Sequence, residues 1–251
     1  MKLKYQGKTK DVYERKDGNL EFHFKDTATG TIVKGKTVFD PGQDSVVGKM
    51  PGKGKISCAF ATYFFKLLAK KGIPNHYIDT PQETVMIVKP AEFLVIQGLY
   101  NLEFVCRNNA HGSFLRRYPF IPFCKALHGM VEITTKGETD CLIIDEALVE
   151  LGIMSQRELE QAKKLTKEIF SILTDELAKR NLHLIDGKIE LGRIDGQIKL
   201  IDDISPDVLR VCKKARIDKN GNCLAKCDGK NILDPLELAK EFNLLKDCQK
   251  T

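Results

Sequence analysis

The sequence predicts an α+β chain with two lobes, and three observations carry that prediction. Residues 3 to 39 hold short segments of alternating apolar and polar character around a Gly-Lys turn, as in Leu20-Glu21-Phe22-His23-Phe24. Residues 155 to 181 carry one sustained apolar stripe at helical spacing. Residues 182 to 210 hold two apolar runs joined at Asp195-Gly196, with acids between and beyond them. A length of 251 residues suffices for one large domain or two small lobes around a cleft. The boundary is expected near Lys89-Pro90, giving a β-rich N-terminal lobe of residues 1–89 and a mixed lobe of residues 90–251.

Taken in order, Tyr5, Val12 and Tyr13 flank the first turn, and Pro41 to Lys55, with four glycines and two prolines, reads as a mobile connector. A helix is expected from about Ser57, with Phe60, Phe64, Leu67 and Leu68 facing the core and Gly72 capping its end before Ile73-Pro74. Thr84–Val88 and Phe93–Ile96 read as short strands, as do Leu102–Arg107, Val131–Thr135 and Leu142–Ile144. The clearest helix runs from Ser155 to Asn181. Ser155 and Glu158 make a capping-box pattern, and Leu159, Ala162, Leu165, Ile169, Leu173 and Leu177 form the stripe. Asp234-Pro235 starts a last short helix through Leu245.

Bulk composition narrows the function classes. The apolar and charged contents, 42% and 29%, are those of an ordinary globular enzyme. No apolar run reaches membrane-spanning length and no signal-like stretch follows Met1, so the cytoplasm is expected. The net charge of +6 suits small phosphorylated metabolites; without a long basic run, and with Trp absent, nucleic acid is not expected as a partner. Eight cysteines read as reduced thiols, with a structural zinc among the last four a minor alternative. The sequence admits a homo-oligomer without requiring one.

The chemistry concentrates in residues 182–210. On a strand, Asp186, Lys188 and Glu190 share one face, and a second strand ends at Asp202-Asp203. A solvated hairpin is the plain alternative for a lone D-x-K-x-E. The flanking apolar runs argue instead for a buried ribbon, whose clustered carboxylates call for a cation, with Mg²⁺ favoured by hard oxygen ligands. A two-residue turn would put Glu190 and Asp202 on opposite faces; a three-residue loop, Asp195 to Gln197, would put them directly across from each other. The metal reading therefore expects the odd loop, or a bulge.

Other candidates each have a plain alternative. Lys8 and Lys10, two apart after Gly7, would reach one triphosphate from an extended strand, or be surface lysines. Arg107, Ser113, Arg116 and Arg117 surround a turn ending in Gly112, suited either to a phosphate monoester or to a capped helix start. Asp207 and Arg210, three apart in an expected loop, would bind a ligand or pair with each other.

These segments together resemble the SAICAR synthetases of purine biosynthesis. Gln6 to Tyr13, Lys55 to Pro74, Val105 to Arg117 and the stretch Asp186 to Arg210 are similar to four motifs of that family, in its order. The resemblance implies a β-rich lobe and a mixed lobe with ATP in the cleft. It also implies a ligase that joins CAIR to L-aspartate through an acyl phosphate. It assigns Glu190 and Asp202 to Mg²⁺, and Lys8 and Lys10 to ATP phosphates with them. Lys188 joins the two acids as catalytic, and Arg107, Ser113, Asp207 and Arg210 hold the ribonucleotide. Lys136 corresponds, in a loosely matching loop that ends at Asp140, to a lysine near the imidazole carboxylate. Cys141 after Asp140, Val211-Cys212-Lys213 after Arg210, a longer stretch over 89–102 and an unmatched C-terminus depart from the family pattern. A related ligase with another acid or amine, or a kinase-like phosphotransferase, are the alternatives.

Overall fold

The computed structural model describes residues 1–33, 36–41, 45–95, 101–136, 140–214, 217–222 and 232–244. The N-terminal part forms a five-stranded antiparallel sheet in the order β1-β2-β3-β8-β7, from Lys2–Gln6 (β1), Lys10–Glu14 (β2), Leu20–Phe24 (β3), Tyr77–Gln82 (β7) and Val85–Val88 (β8). A smaller sheet sets Thr27–Val33 (β4) between Lys36–Phe39 (β5) and Val46–Lys49 (β6). Strand β6 lies where a mobile connector was expected. Its residues pair with Thr27, Ala28 and Thr29 of β4, a tertiary pairing that overrides the local glycine content.

Helix α1, Lys53–Lys70, begins about a turn before Ser57. Its first donors are met from outside the helix: the Asp26 carboxylate accepts from the amides of Gly52 (3.1 Å) and Gly54 (2.8 Å). At the other end Gly72 stands at φ 81° as expected. The amides of Gly72 and Ile73 donate back to the Ala69 and Leu68 carbonyls, the paired closing bonds of a glycine-stopped helix.

The second half is built on one long strand. Leu182–Ile194 (β12) pairs with Glu103–Asn109 (β10) on one side and Gln197–Ile201 (β13) on the other. Leu209–Lys213 (β14) and Glu92–Phe93 (β9) also pair with β12, and Ala126–Thr134 (β11) closes the far edge beside β10. The expected two-stranded ribbon is thus the centre of a six-stranded sheet. Leu142–Ile144 is not a strand; it leaves a bridge from Leu142 to Thr134 and leads into a short helix α3, Asp145–Glu150. Helix α2 covers Ser113–Arg117.

The stripe on α4, Gln156–Ala178, buries all six expected apolar residues, and its Ser155–Glu158 capping box is formed. Helix α4 packs on one face of the sheet. There a Cβ on Gly187 would lie 2.5 Å from Leu209 and 2.9 Å from Phe170, so only glycine fits. Helix α5, Pro235–Glu241, ends short of Leu245, which lies outside the described residues. One apolar cluster runs through both halves, from Phe22 and Phe24 through Phe60, Phe64 and Phe65 of α1 to Ile169, Leu184 and Leu191. Backbone bonds from His76 to Leu200 and from Leu200 to Pro74 tie the sheets together.

Cys58 and Cys106 are thiols, pushed up to about 12 by burial. Cys124, expected as a free thiol, is in a disulfide whose partner lies outside the described residues. The chain from 217 to 222 returns over this region, where Gly221 accepts from the Asn109 amide and Asn222 from the Ala126 backbone. Cys223, Cys227 and Cys248 are likewise outside the described residues.

Candidate functional site

The β12–β13 hairpin has a two-residue turn, Asp195-Gly196, at φ 55° and 71°, and not the expected three-residue loop. Ile194 faces Gln197 and Glu190 faces Ile201. Strict alternation would therefore send Asp202 to the face opposite Glu190. The two carboxylates nonetheless lie near enough to feel each other's charge, Glu190 buried and Asp202 half-buried, and the chain leaves the strand at once: Asp202 sits at φ 63°, in the left-handed region. That single residue breaks the period and re-aims the side chain. His76, just before β7, holds this point of the chain, its Nε2–H donating to the Asp202 carbonyl at 2.9 Å. Burial keeps this imidazole neutral, its pKa lowered to about 4.

Three lysines surround the acids. Lys10 Nζ is 2.8 Å from Asp202 and also bonds Asp203; Lys136 Nζ is 2.6 Å from Glu190 Oε1; Lys188 Nζ is 2.9 Å from Glu103. Burial, then the charge of Asp202, push Glu190 above the usual carboxylate range. Burial also pushes Asp202 upward, but Lys10 and Lys136 outweigh it and the net direction is down. Lys10 and Lys136 are themselves raised, burial being overcome by the neighbouring acids. Lys8 does not share a face with Lys10. Residues 7 to 9 form a turn, not an extended strand, so the period of two does not apply and Lys8 is exposed.

Further along the same face of β12, Asp186 lies opposite Arg107 of β10. Arg107 is buried, with Nε 2.6 Å from Glu132, one terminal nitrogen 2.8 Å from Asp186 and the other 2.9 Å from Ser113 Oγ. Arg117 takes the second oxygen of Glu132 at 2.5 Å, whereas Arg116 is exposed. Arg210 also reaches Asp186 (3.0 Å) and bonds Asp40 (3.0 Å). Its guanidinium passes 3.0 Å from where a Cβ on Gly112 would be, so that glycine, at φ 55°, permits the approach of loop and arginine.

Asp207 and Arg210 do not pair with each other. Arg210 lies on strand β14, not in a loop, and Asp207 turns to the fully buried Lys53 (2.5 Å) and Ser57 (3.3 Å). Burial raises the Asp207 carboxyl, and its Oδ1 is buried without a hydrogen-bond partner among the described residues.

Sequence reasoning missed Lys53, His76, Asn101 and Glu103, which meet the site from distant segments and carry no local motif. Asp186 and Asp203 stood inside motifs already noted but without a role. Residues 137–139, between Lys136 and Asp140, lie outside the described residues. No group of three or more metal-ligating side chains occurs among the described residues. The pair Glu190 and Asp202 fits Mg²⁺, which is commonly held by one or two carboxylates and completed by phosphate oxygens and water.

The central strand thus presents two charged clusters on one face, arginines around Asp186 and lysines with a second acid around Glu190. Comparison gives the family. The sequence profile described as SAICAR synthetase matches residues 3–233. A phosphoribosylaminoimidazole-succinocarboxamide synthase of Clostridium tetani is 42% identical over 246 residues, which cover 96% of this chain and 98% of that protein. A solved SAICAR synthetase (Type-2) in complex with ADP superimposes with a TM-score of 0.76 at 30% identity, covering 98% of both chains. The SAICAR synthetase of Pyrococcus horikoshii OT3 gives 0.73 at 29%, over 96% of this chain and 99% of that one. The chain belongs to the SAICAR synthetase family.

Proposed function

We propose that this enzyme condenses CAIR with L-aspartate at the expense of ATP, through an acyl phosphate, to give SAICAR, ADP and phosphate. The observation that carries the reading is the layout of β12. Asp186, with Arg107 and Arg210, and Glu190, with Lys136, lie on one face four residues apart, roughly 13 Å along a strand. A ribonucleotide monophosphate lying along that face meets arginines at its phosphate and lysines at its carboxylate.

A carboxylate resists amines because oxide is a poor leaving group; taking the γ-phosphoryl of ATP turns that leaving group into phosphate. The protein's part is positioning and charge neutralisation. Glu190 and Asp202 would hold Mg²⁺, which would supply positive charge to offset that of the phosphates. Lys10 and Lys188 offset charge on the phosphates and the activated carboxylate, Lys136 faces the imidazole carboxylate, and exposed Lys8 meets ATP from the turn. Arg107, Ser113 and Arg210 bind the ribose phosphate, and Asp207 offers Oδ1 to the ribose hydroxyls. Residues 1–89 form the nucleotide-binding lobe and 90–251 the substrate lobe. Among the described residues no helix is long and apolar enough to cross a membrane, and we place the enzyme in the cytoplasm.

The test is ADP release from purified protein with ATP and Mg²⁺. Release that requires both CAIR and L-aspartate is expected. Release with CAIR alone supports a phosphotransferase, and a requirement for another acid or amine supports a related ligase.

A further inference from the structure

Asn101 is 1% exposed and uses both ends of its amide. Its Nδ2 donates to Glu190 Oε2 at 2.9 Å and to the Leu191 carbonyl at 3.0 Å, while its Oδ1 accepts from the Leu94 amide at 2.7 Å. The Leu102 amide donates to the Leu94 carbonyl at 3.2 Å, next to that contact. One side chain therefore joins three segments: the stretch after β9, the start of β10, and β12 at Glu190. Glu190 is left with one oxygen fixed by an amide and the other, Oε1, turned toward the Lys136 ammonium.

A buried carboxylate free to rotate can satisfy itself on any nearby lysine. Held at Oε2, it presents Oε1 in one direction. We infer that Asn101 is a positioning residue for Glu190, fixing which carboxylate oxygen faces the divalent cation and coupling that oxygen to the 92–94 segment where the chain enters the second sheet. The inference rests on the reading that Glu190 holds the cation. Partners that orient a metal-binding group typically contribute about ten- to hundredfold to metal affinity.

The experiment titrates Mn²⁺ into the protein with saturating ADP and follows free Mn²⁺ by electron paramagnetic resonance, for wild type, Asn101→Leu, Asn101→Ala and Glu190→Gln. Both Asn101 variants are expected to bind Mn²⁺ about tenfold more weakly or worse, and in turnover to need correspondingly more Mg²⁺. KM for CAIR should stay within about twofold, a split that a general loss of structure does not produce. Asn101→Ala, which removes the amide without filling its space with apolar bulk, carries the test if Asn101→Leu fails to fold. Unchanged Mn²⁺ affinity in the Asn101 variants, with Glu190→Gln losing it, overturns the inference and leaves the metal reading intact. Unchanged affinity in Glu190→Gln removes the metal reading and the inference with it.

Discussion

Replacing Arg107 by Ala should destabilise the fold as well as weaken substrate binding, and the structure sets the size of the effect. Arg107, Arg117 and Arg210 face Glu132, Asp186 and Asp40, three positive charges against three negative. Arg107 is 2% exposed and serves two of those acids. Its loss leaves the cluster one negative charge in excess. Stripping a partner from a buried ion pair costs about 3–5 kcal/mol, and because Glu132 keeps Arg117 and Asp186 keeps Arg210, the low end, about 3 kcal/mol, applies here. For a protein of this size that lowers Tm by about 6–12 °C. Adding Asp186→Asn to the Arg107→Ala variant rebalances the cluster at two against two. A double-mutant cycle in urea should therefore show coupling of about 1–3 kcal/mol. The same truncation should raise KM for CAIR about tenfold to hundredfold, the worth of a charge-assisted phosphate contact, with KM for ATP little moved. A melting temperature within about 2 °C of wild type, or an additive cycle, would refute the account of Arg107 as the keystone of this cluster.

Other outcomes follow from particular contacts. Asp202→Asn should lower turnover by orders of magnitude with little change in Tm, since Lys10 keeps Asp203 as partner; near wild-type turnover would remove Asp202 from the metal site. Gly187→Ala should cost about 1–3 kcal/mol by overpacking against Leu209 and Phe170, and urea unfolding at wild-type stability would contradict the packing of α4 on the sheet. Glu158, held by Arg193 against its burial and by the Ser155 cap, has its pKa lowered from 4.5 to about 2. Below pH 4.5 the unfolded chain binds the proton first, so this stabilisation is complete above pH 4.5 and is lost as pH falls toward 2. Glu158→Gln should flatten that limb of stability against pH; an unchanged limb assigns it to other carboxylates. Ser155→Ala, losing the same cap, should cost about 1 kcal/mol in urea unfolding.

What could be read along the chain was local. The α4 stripe and its capping box, the glycine stop at Gly72 and the Asp234-Pro235 helix start each depend on residues within a turn of one another, and each formed as expected. The shared face of Asp186, Lys188 and Glu190 is equally local, since alternation within β12 is enough to align them. Motif order was likewise sufficient to reach the family. Alternation was not enough once the backbone left the strand. The turn at Asp195-Gly196 kept the even register that would separate Glu190 from Asp202, yet Asp202, in left-handed geometry and bonded by His76 from a distant segment, still acts electrostatically on Glu190. The extended geometry expected to align Lys8 with Lys10 failed for the converse reason, a turn at residues 7 to 9 read as a strand. Asn101 lies 89 residues from Glu190 and Lys53 lies 154 from Asp207, so no spacing rule connects them. Buried charges find partners wherever packing delivers one, because leaving them unpaired in a poorly solvated interior costs more than ordering a distant segment to meet them.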